Sequence, residues 1–409
     1  MYDLLRSRAL ALSEPALDLT RSLVQTPSVS LDELKVAALV ERSMRAFGFD
    51  RVVRDDYGNV LGILFGIEAG PTVLLVSHMD TVPVEAPDSW QCAPWSARTD
   101  GGRLVGVGAA DCKAGLVAQV FAGVALKRSL LPLRGNLVVA ATVAEENGAA
   151  VGVRALVAET LPALNLVPEH AILGEPTNLG LYYGHEGFAH LDIHVQGRDP
   201  FQVADASKAI FEDFSVNGAA GRHNNGKENM AVLEPRIPPG DRSPRAVVRV
   251  TRRLLQGEAV SDVIAQTRYC ALASARGAGA VGVDVELAEE RQQLGTGQTK
   301  TVARVTLPWC TDPFGSLAER AHSALSAAGC DVRPGQWALD RLGMGTAGGA
   351  LVNDFRIPTI GYGPGDEKAA HARDEYVEIS RLTQAIYGSA AIVHSLIGVP
   401  VFGWTADEI

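Results

Sequence analysis

The run Leu74-Leu-Val-Ser-His78-Met-Asp80 closes an apolar stretch with a histidine and an aspartate two positions apart. On extended chain such residues share a face. A metal-bound imidazole commonly donates its other ring N–H to a carboxylate, which Asp80 could supply. Taken alone, the pair fits a surface turn after a strand equally well. Asp111, in Leu104-Val-Gly-Val-Gly-Ala-Ala-Asp111-Cys-Lys-Ala-Gly115, sits at the mouth of a small-residue helix, where an isolated acid is most simply an N-cap. Glu145 and Glu146 follow the apolar run Val138–Ala144. Adjacent carboxylates there cannot point the same way, so one can bind a metal while the other faces a reacting water. Glu175, in Gly174-Glu-Pro-Thr177, ends another short apolar run, and His371 follows Gly361-Tyr-Gly-Pro-Gly365 in the segment Ala370–Glu375.

Each motif has a bland reading by itself. Together they bring two histidines and four acids to one edge of a sheet, where α/β proteins bind ligands. Imidazole and carboxylate donors with open positions suit zinc, cobalt or manganese. Two such ions ~3.5–4 Å apart can share a hydroxide and clamp a polarised carbonyl.

The elements that must position these residues are legible as alternating periodicities. Helical signals cover Ser13-Glu-Pro15 onward, Leu31–Phe47 and the small apolar run Ala114–Ala125. Apolar strand-like runs fall at Asn59–Phe65, Pro71–Val76, Asn136–Ala144 and Ala171–Leu173. Buried strands between helices predict a parallel or mixed sheet covered on both faces. From residue 181 to about 312 the order changes to strand Phe188–Val195, helix Gln202–Phe214, strands Met230–Leu233 and Ala246–Leu254, helix Val260–Leu272 and strand Val281–Leu287. That βαββαβ order suits a small ferredoxin-like α+β unit. The α/β pattern returns with helix Gly315–Ala328, strand Thr359–Tyr362 and helix Ser380–Ile397. The expected division is therefore 1–180 with 313–409, and an insertion at 181–312.

Composition narrows the function further. The chain has 409 residues, 47% of them hydrophobic and 21% charged, which excludes a disordered protein. Its net charge of −10, with no Lys/Arg-rich run, argues against a nucleic-acid partner. Stretches such as Asn136–Ala144 are far short of a membrane span, and the N-terminus lacks a secretory pattern. Cysteines at 92, 112, 270, 310 and 330 form no CxxC. They indicate neither a disulfide framework nor a thiolate zinc site. A cytoplasmic protein is expected.

The motifs SHMDTVPV, GVGAADCKAG, AEENG, GEPT and GPG…AHARDEY together resemble the M20 metallopeptidase/deacylase family, that of acetylornithine deacetylase, succinyl-diaminopimelate desuccinylase and carboxypeptidase G2. The resemblance implies a zinc-aminopeptidase-like mixed-sheet catalytic domain with an inserted lid. It also implies two divalent ions, most simply zinc, with His78 and Glu175 on one, Glu146 and His371 on the other, and Asp111 bridging. Glu145 becomes the general base that works on a metal-bridging hydroxide, Asp80 orients His78, and a cis peptide is implied at Asp111–Cys112. The implied reaction is hydrolysis of a small N-acyl amino acid or related amide; a dipeptidase or carboxypeptidase uses the same centre, and a non-catalytic binding protein on this fold is a third reading. A homodimer through the lid is implied as well.

The insertion departs from the family pattern. Gly197-Arg-Asp-Pro-Phe201 lacks the histidine that relatives carry there, and His223 is a candidate substitute. Glu186 stands where acid-substrate relatives often have arginine, so a substrate carboxylate is disfavoured unless Arg252 or Arg253 grips it, or unless one of them pairs with Glu186. Ala347 replaces an Asp or Asn of relatives. Gly343-Met-Gly-Thr-Ala-Gly348 also fits a dinucleotide fingerprint, a weak signal without a good strand before it.

Overall fold

The computed structural model describes residues 1–217, 230–236, 244–279, 281–337 and 345–399. Among them, a nine-stranded mixed sheet runs in the order Arg51–Arg54, Val60–Phe65, Arg134–Thr142, Glu68–His78, Pro168–Leu173, Thr359–Gly361, Leu181–His185 and Trp309–Cys310, with Pro334–Trp337 alongside Leu181–His185. Arg134–Thr142, Glu68–His78, Pro168–Leu173 and Thr359–Gly361 are consecutive and parallel, so their C-terminal ends share one edge.

Both faces of the sheet are covered, as the continuous apolar strands require. Val73, Leu75, Val139 and Ala141 face one core with helices Ala114–Arg128 and Ile379–Ile397; Leu74, Val76, Val138 and Ala140 face a second with Trp309, Trp337 and Leu351. The small residues of Ala114–Arg128 let it lie directly on the sheet: a Cβ at Gly115 would stand 1.7 Å from the Gly174 carbonyl oxygen. With the turn before it, this element spans 20 residues, Ala109–Arg128, and is apolar enough for a membrane span, which the sequence did not lead us to expect. Ala109–Leu126 are buried, because the apolar sides are shared between sheet and neighbouring helices, and the closing Lys127 and Arg128 are exposed.

The inserted unit has the expected order: Gly187–Gln196, helix Pro200–Asn217, Met230–Arg236, Arg245–Leu254, helix Val260–Ser274 and Gly282–Leu287. Its antiparallel sheet, with Val305–Thr306 added beside Gly187–Gln196, buries Ala189, Leu191, Ile193 and Val195 under the two helices. The edges differ from a change at 181 and 312. Leu181–His185 and Trp309–Cys310 pair with each other inside the large sheet, so sheet membership changes between His185 and Gly187 and again between Thr306 and Trp309. Short strands flanking an insertion carry no periodicity of their own that would reveal which sheet they join.

Candidate metal centre

The parallel strands deliver their loads to one edge. His78 is the last residue of its strand, Glu145 and Glu146 follow Thr142 closely, and Glu175 lies two residues beyond Leu173. His371 comes from the loop after Thr359–Gly361. Asp111 does not come from the large sheet; it follows Arg103–Val105, a strand of a separate three-stranded sheet with Arg98–Asp100 and Tyr376–Glu378. Gly108 (φ +77°) bends the chain into this turn, and the Asp111–Cys112 peptide is cis.

Asp111 stands between the two histidines. Its Oδ1 is 3.1 Å from His78 Nε2 and its Oδ2 is 3.3 Å from His371 Nε2. Glu175 Oε2 lies 3.9 Å from His78 Nε2, and Glu146 Oε1 lies 2.8 Å from His371 Nε2. Ligand atoms of His78, Asp111, Cys112 and Glu175 converge within 4.8 Å, as do those of Asp111, Glu146 and His371, so Asp111 belongs to both groups. Burial raises the Cys112 thiol well above its ordinary pKa, which leaves it protonated and a poor ligand.

The electrostatics are those of a site short of positive charge. Burial pushes Glu145 up to about 7 and raises Glu146 and, strongly, Glu175. Burial opposes ionisation of Asp111 too, yet hydrogen bonds with His371 and His78 hold it well below the usual range. His371 is raised to about 11: burial works against its charge, but Glu146 and Asp111 outweigh it. Protons here do what divalent cations would do, and cation binding would displace them. Two imidazoles and two carboxylates arranged about a shared carboxylate fit a pair of divalent ions by donor chemistry as well as spacing.

Asp80 has a larger task than the sequence shows. The nearest partner of His78 Nδ1 is the Asp80 backbone carbonyl at 2.9 Å, with the carboxylate at 3.5 Å. That carboxylate, fully buried, accepts the backbone N–H of Glu145 and Glu146 at 3.0 and 2.9 Å and the Ser30 hydroxyl at 2.6 Å. Glu145 Oε1 in turn accepts the Ala347 backbone N–H at 2.7 Å, so the position where relatives carry Asp or Asn acts here through its main chain. Glu33, buried and pushed up to about 7, accepts the N–H of Ala144 at 3.0 Å. Glu33 lies in no motif, and Glu375, although it is part of AHARDEY, is not singled out by that pattern as a site residue.

Other expectations resolve locally. Arg253 pairs with Glu186, whereas Arg252 is buried against Glu258 at 3.1 Å. Phe201 is 80% exposed at a helix start, and His223 lies outside the described residues. Gly343 does too. Gly348 packs on the Trp309 ring, where a Cβ would meet it at 2.3 Å, so this glycine serves packing and not a dinucleotide phosphate. Beside His371 a cleft of about 300 Å³ is lined by Val82, Pro83, Trp90, Val107 and Arg373.

Residues 74–395 match the model of peptidase family M20/M25/M40. The chain belongs to this family. M20 members similar to it include the putative succinyl-diaminopimelate desuccinylase DapE of Mycobacterium tuberculosis, 28% identical over 378 residues that cover 90% of this chain and 95% of the relative. Among solved structures, the dipeptidase Dug1p of Saccharomyces cerevisiae superposes with a TM-score of 0.70 at 15% identity, covering 97% of this chain and 98% of that one. The YXEP protein of Bacillus subtilis, described as a dinuclear metal-binding M20 peptidase, gives 0.67 at 16% identity, with 94% and 99% covered. The mixed α/β fold is thus that of M20 peptidases, and this M20 protein is a metal-dependent amide hydrolase with a two-metal site.

Proposed function

We propose that the chain hydrolyses the amide bond of a small N-acyl amino acid or a related compound, with Glu145 as general base. The observation that carries this is Asp111 with one oxygen toward His78 and the other toward His371, and Glu145 anchored beside them. In this reading His78 and Glu175 hold one ion, Glu146 and His371 the other, and Asp111 both; zinc suits the donors, as do cobalt and manganese. When bound, the ions polarise the scissile carbonyl and make a water acidic enough to attack at neutral pH.

The chain's own residues do the rest. Glu145 takes a proton from the attacking water and passes it to the leaving amine, a task suited to a buried carboxylate held beside the ligand groups. The Ala347 N–H fixes one Glu145 oxygen, and Asp80 fixes the backbone beneath both glutamates. The unit of residues 187–306 serves as the lid, with the Thr306 hydroxyl on the Gly148 carbonyl at 3.2 Å joining it to the Glu145 loop. Glu186 at the lid's base is neutralised by Arg253, so this spot offers no spare cation for a substrate carboxylate.

The test is amine release from a panel of N-acyl amino acids and dipeptides with added zinc, cobalt or manganese, with Glu145→Ala as the blank. Turnover of N-acyl amino acids that vanishes in the variant is the expected result. Turnover confined to dipeptides replaces the deacylase reading with a dipeptidase. Two bound metals with no turnover of either class replaces it with a binding protein.

A further inference from the structure

We infer that Glu375 is a positioning residue of the metal centre: its carboxylate ties the turn that carries Asp111 to the segment that carries His371. This rests on the ligand roles proposed for those two residues.

Glu375 is 2% exposed. Its Oε1 accepts the backbone N–H of Ala110 at 2.7 Å and of Asp111 at 2.9 Å, and its Oε2 accepts that of Gly108 at 2.9 Å. Its own carbonyl oxygen accepts the Gly106 N–H at 2.8 Å. One residue thus takes four N–H groups from the six residues that end at Asp111. The turn has no regular partner for these donors. Gly108 is left-handed, and Asp111 (φ −127°, ψ 98°) and Cys112 (φ −132°, ψ 32°) are non-helical, so successive N–H groups face one anion instead of successive carbonyls.

The other end of the tie is equally fixed. Glu375 lies four residues after His371 and directly before Tyr376–Glu378, which pairs antiparallel with Arg103–Val105, the strand that leads into the Asp111 turn. Asp374 Oδ1 accepts the Gln91 N–H at 2.7 Å, which pins the same segment from a third side. The nearby Lys113 ammonium is committed to the carbonyls of Leu23 and Thr26 at 2.9 and 3.0 Å and does not share this load. Asp111 comes from a turn outside the large sheet and His371 from well along the loop after Thr359–Gly361, and Glu375 is a side chain that sets their relative placement. Only a carboxylate of this length suits the task. Glutamine turns an NH2 group toward a donor, and aspartate withdraws both oxygens by one methylene.

The experiment compares Glu375→Gln and Glu375→Asp with the native chain, with Glu378→Gln as a control on the same segment. Zinc affinity is measured by chelator competition, the thermal midpoint on metal-free protein, and kcat and KM separately. The expected result for Glu375→Gln is a zinc affinity lower by roughly 10–100-fold, a kcat lower by a similar factor, KM within about threefold, and a small loss in the metal-free midpoint. Glu375→Asp falls between, and the control is unchanged. Native zinc affinity with a lowered midpoint overturns the proposal, as does failure of both variants to fold, since either assigns Glu375 to stability alone. A zinc-affinity loss in a chain that turns over no amide keeps the positioning role and removes the hydrolase reading instead.

Discussion

The carboxylate of Asp80 accepts the backbone N–H of Glu146 at 2.9 Å, and that of Glu145 at 3.0 Å, across 66 and 65 residues of chain. Two neighbouring glutamates, proposed as base and metal ligand, thus hang from a single buried acid at the end of the adjacent strand. Substitution Asp80→Asn keeps the shape but turns an NH2 group toward these donors. The expected outcome is a kcat lower by about 10–100-fold and weaker metal binding, with the fold retained. Native kcat on a folded variant would reduce Asp80 to a bystander.

His371 pairs with Glu146 at 2.8 Å and with Asp111 at 3.3 Å. His371→Ala removes the imidazole from one of the two ligand groups only. Elemental analysis after dialysis against zinc should find bound metal reduced from about two ions per chain toward one, the number set by the two-ion model. An unchanged metal content would take His371 off the ligand set.

Gly115 is a packing requirement with a functional consequence. A Cβ there would meet the Gly174 carbonyl oxygen at 1.7 Å, and Gly174 precedes Glu175. Neither backbone is at the end of a flexible side chain, so the helix or the strand end must move. Gly115→Ala is expected to lower unfolding free energy by about 3 kcal/mol. It should also weaken zinc binding through Glu175. Denaturant titration and zinc competition on the same preparation check both effects.

His185 gives a pH dependence whose sign follows from burial. Enclosed near Trp309 and Trp337, and accepting the Thr346 N–H at 3.0 Å, it is lowered to about 4 from 6.5, with burial the principal cause. Between pH 6.5 and 4 the unfolded chain binds this proton and the folded chain does not. The contribution is therefore complete above 6.5 and is lost as the pH falls toward 4, by about 3 kcal/mol. In His185→Gln that part of the acid sensitivity disappears, so native and variant stability curves should converge on acidification. Parallel curves would contradict the assignment.

Much of this molecule is written locally. Val73–Val76 and Val138–Ala141 are apolar at every position, as strands covered on both faces require, and they carry the two cores described above. Parallel strands put their C-terminal residues at one edge, so His78, Glu145, Glu146 and Glu175 were legible as a group from strand ends alone. The βαββαβ order of the insertion was legible for the same reason, since each element carries its own periodicity.

Tertiary structure decided what no local pattern encodes. Leu181–His185 joins the large sheet because Thr359–Gly361 and Trp309–Cys310, far along the chain, present it with backbone partners. Glu375 meets Gly108, Ala110 and Asp111 across more than 260 residues, and Asp80 divides its bonds between two glutamates rather than serving His78 alone. Periodicity reports which face of an element is buried. It does not report which distant N–H groups a buried carboxylate will find, because that depends on how the turns close once the sheet has formed.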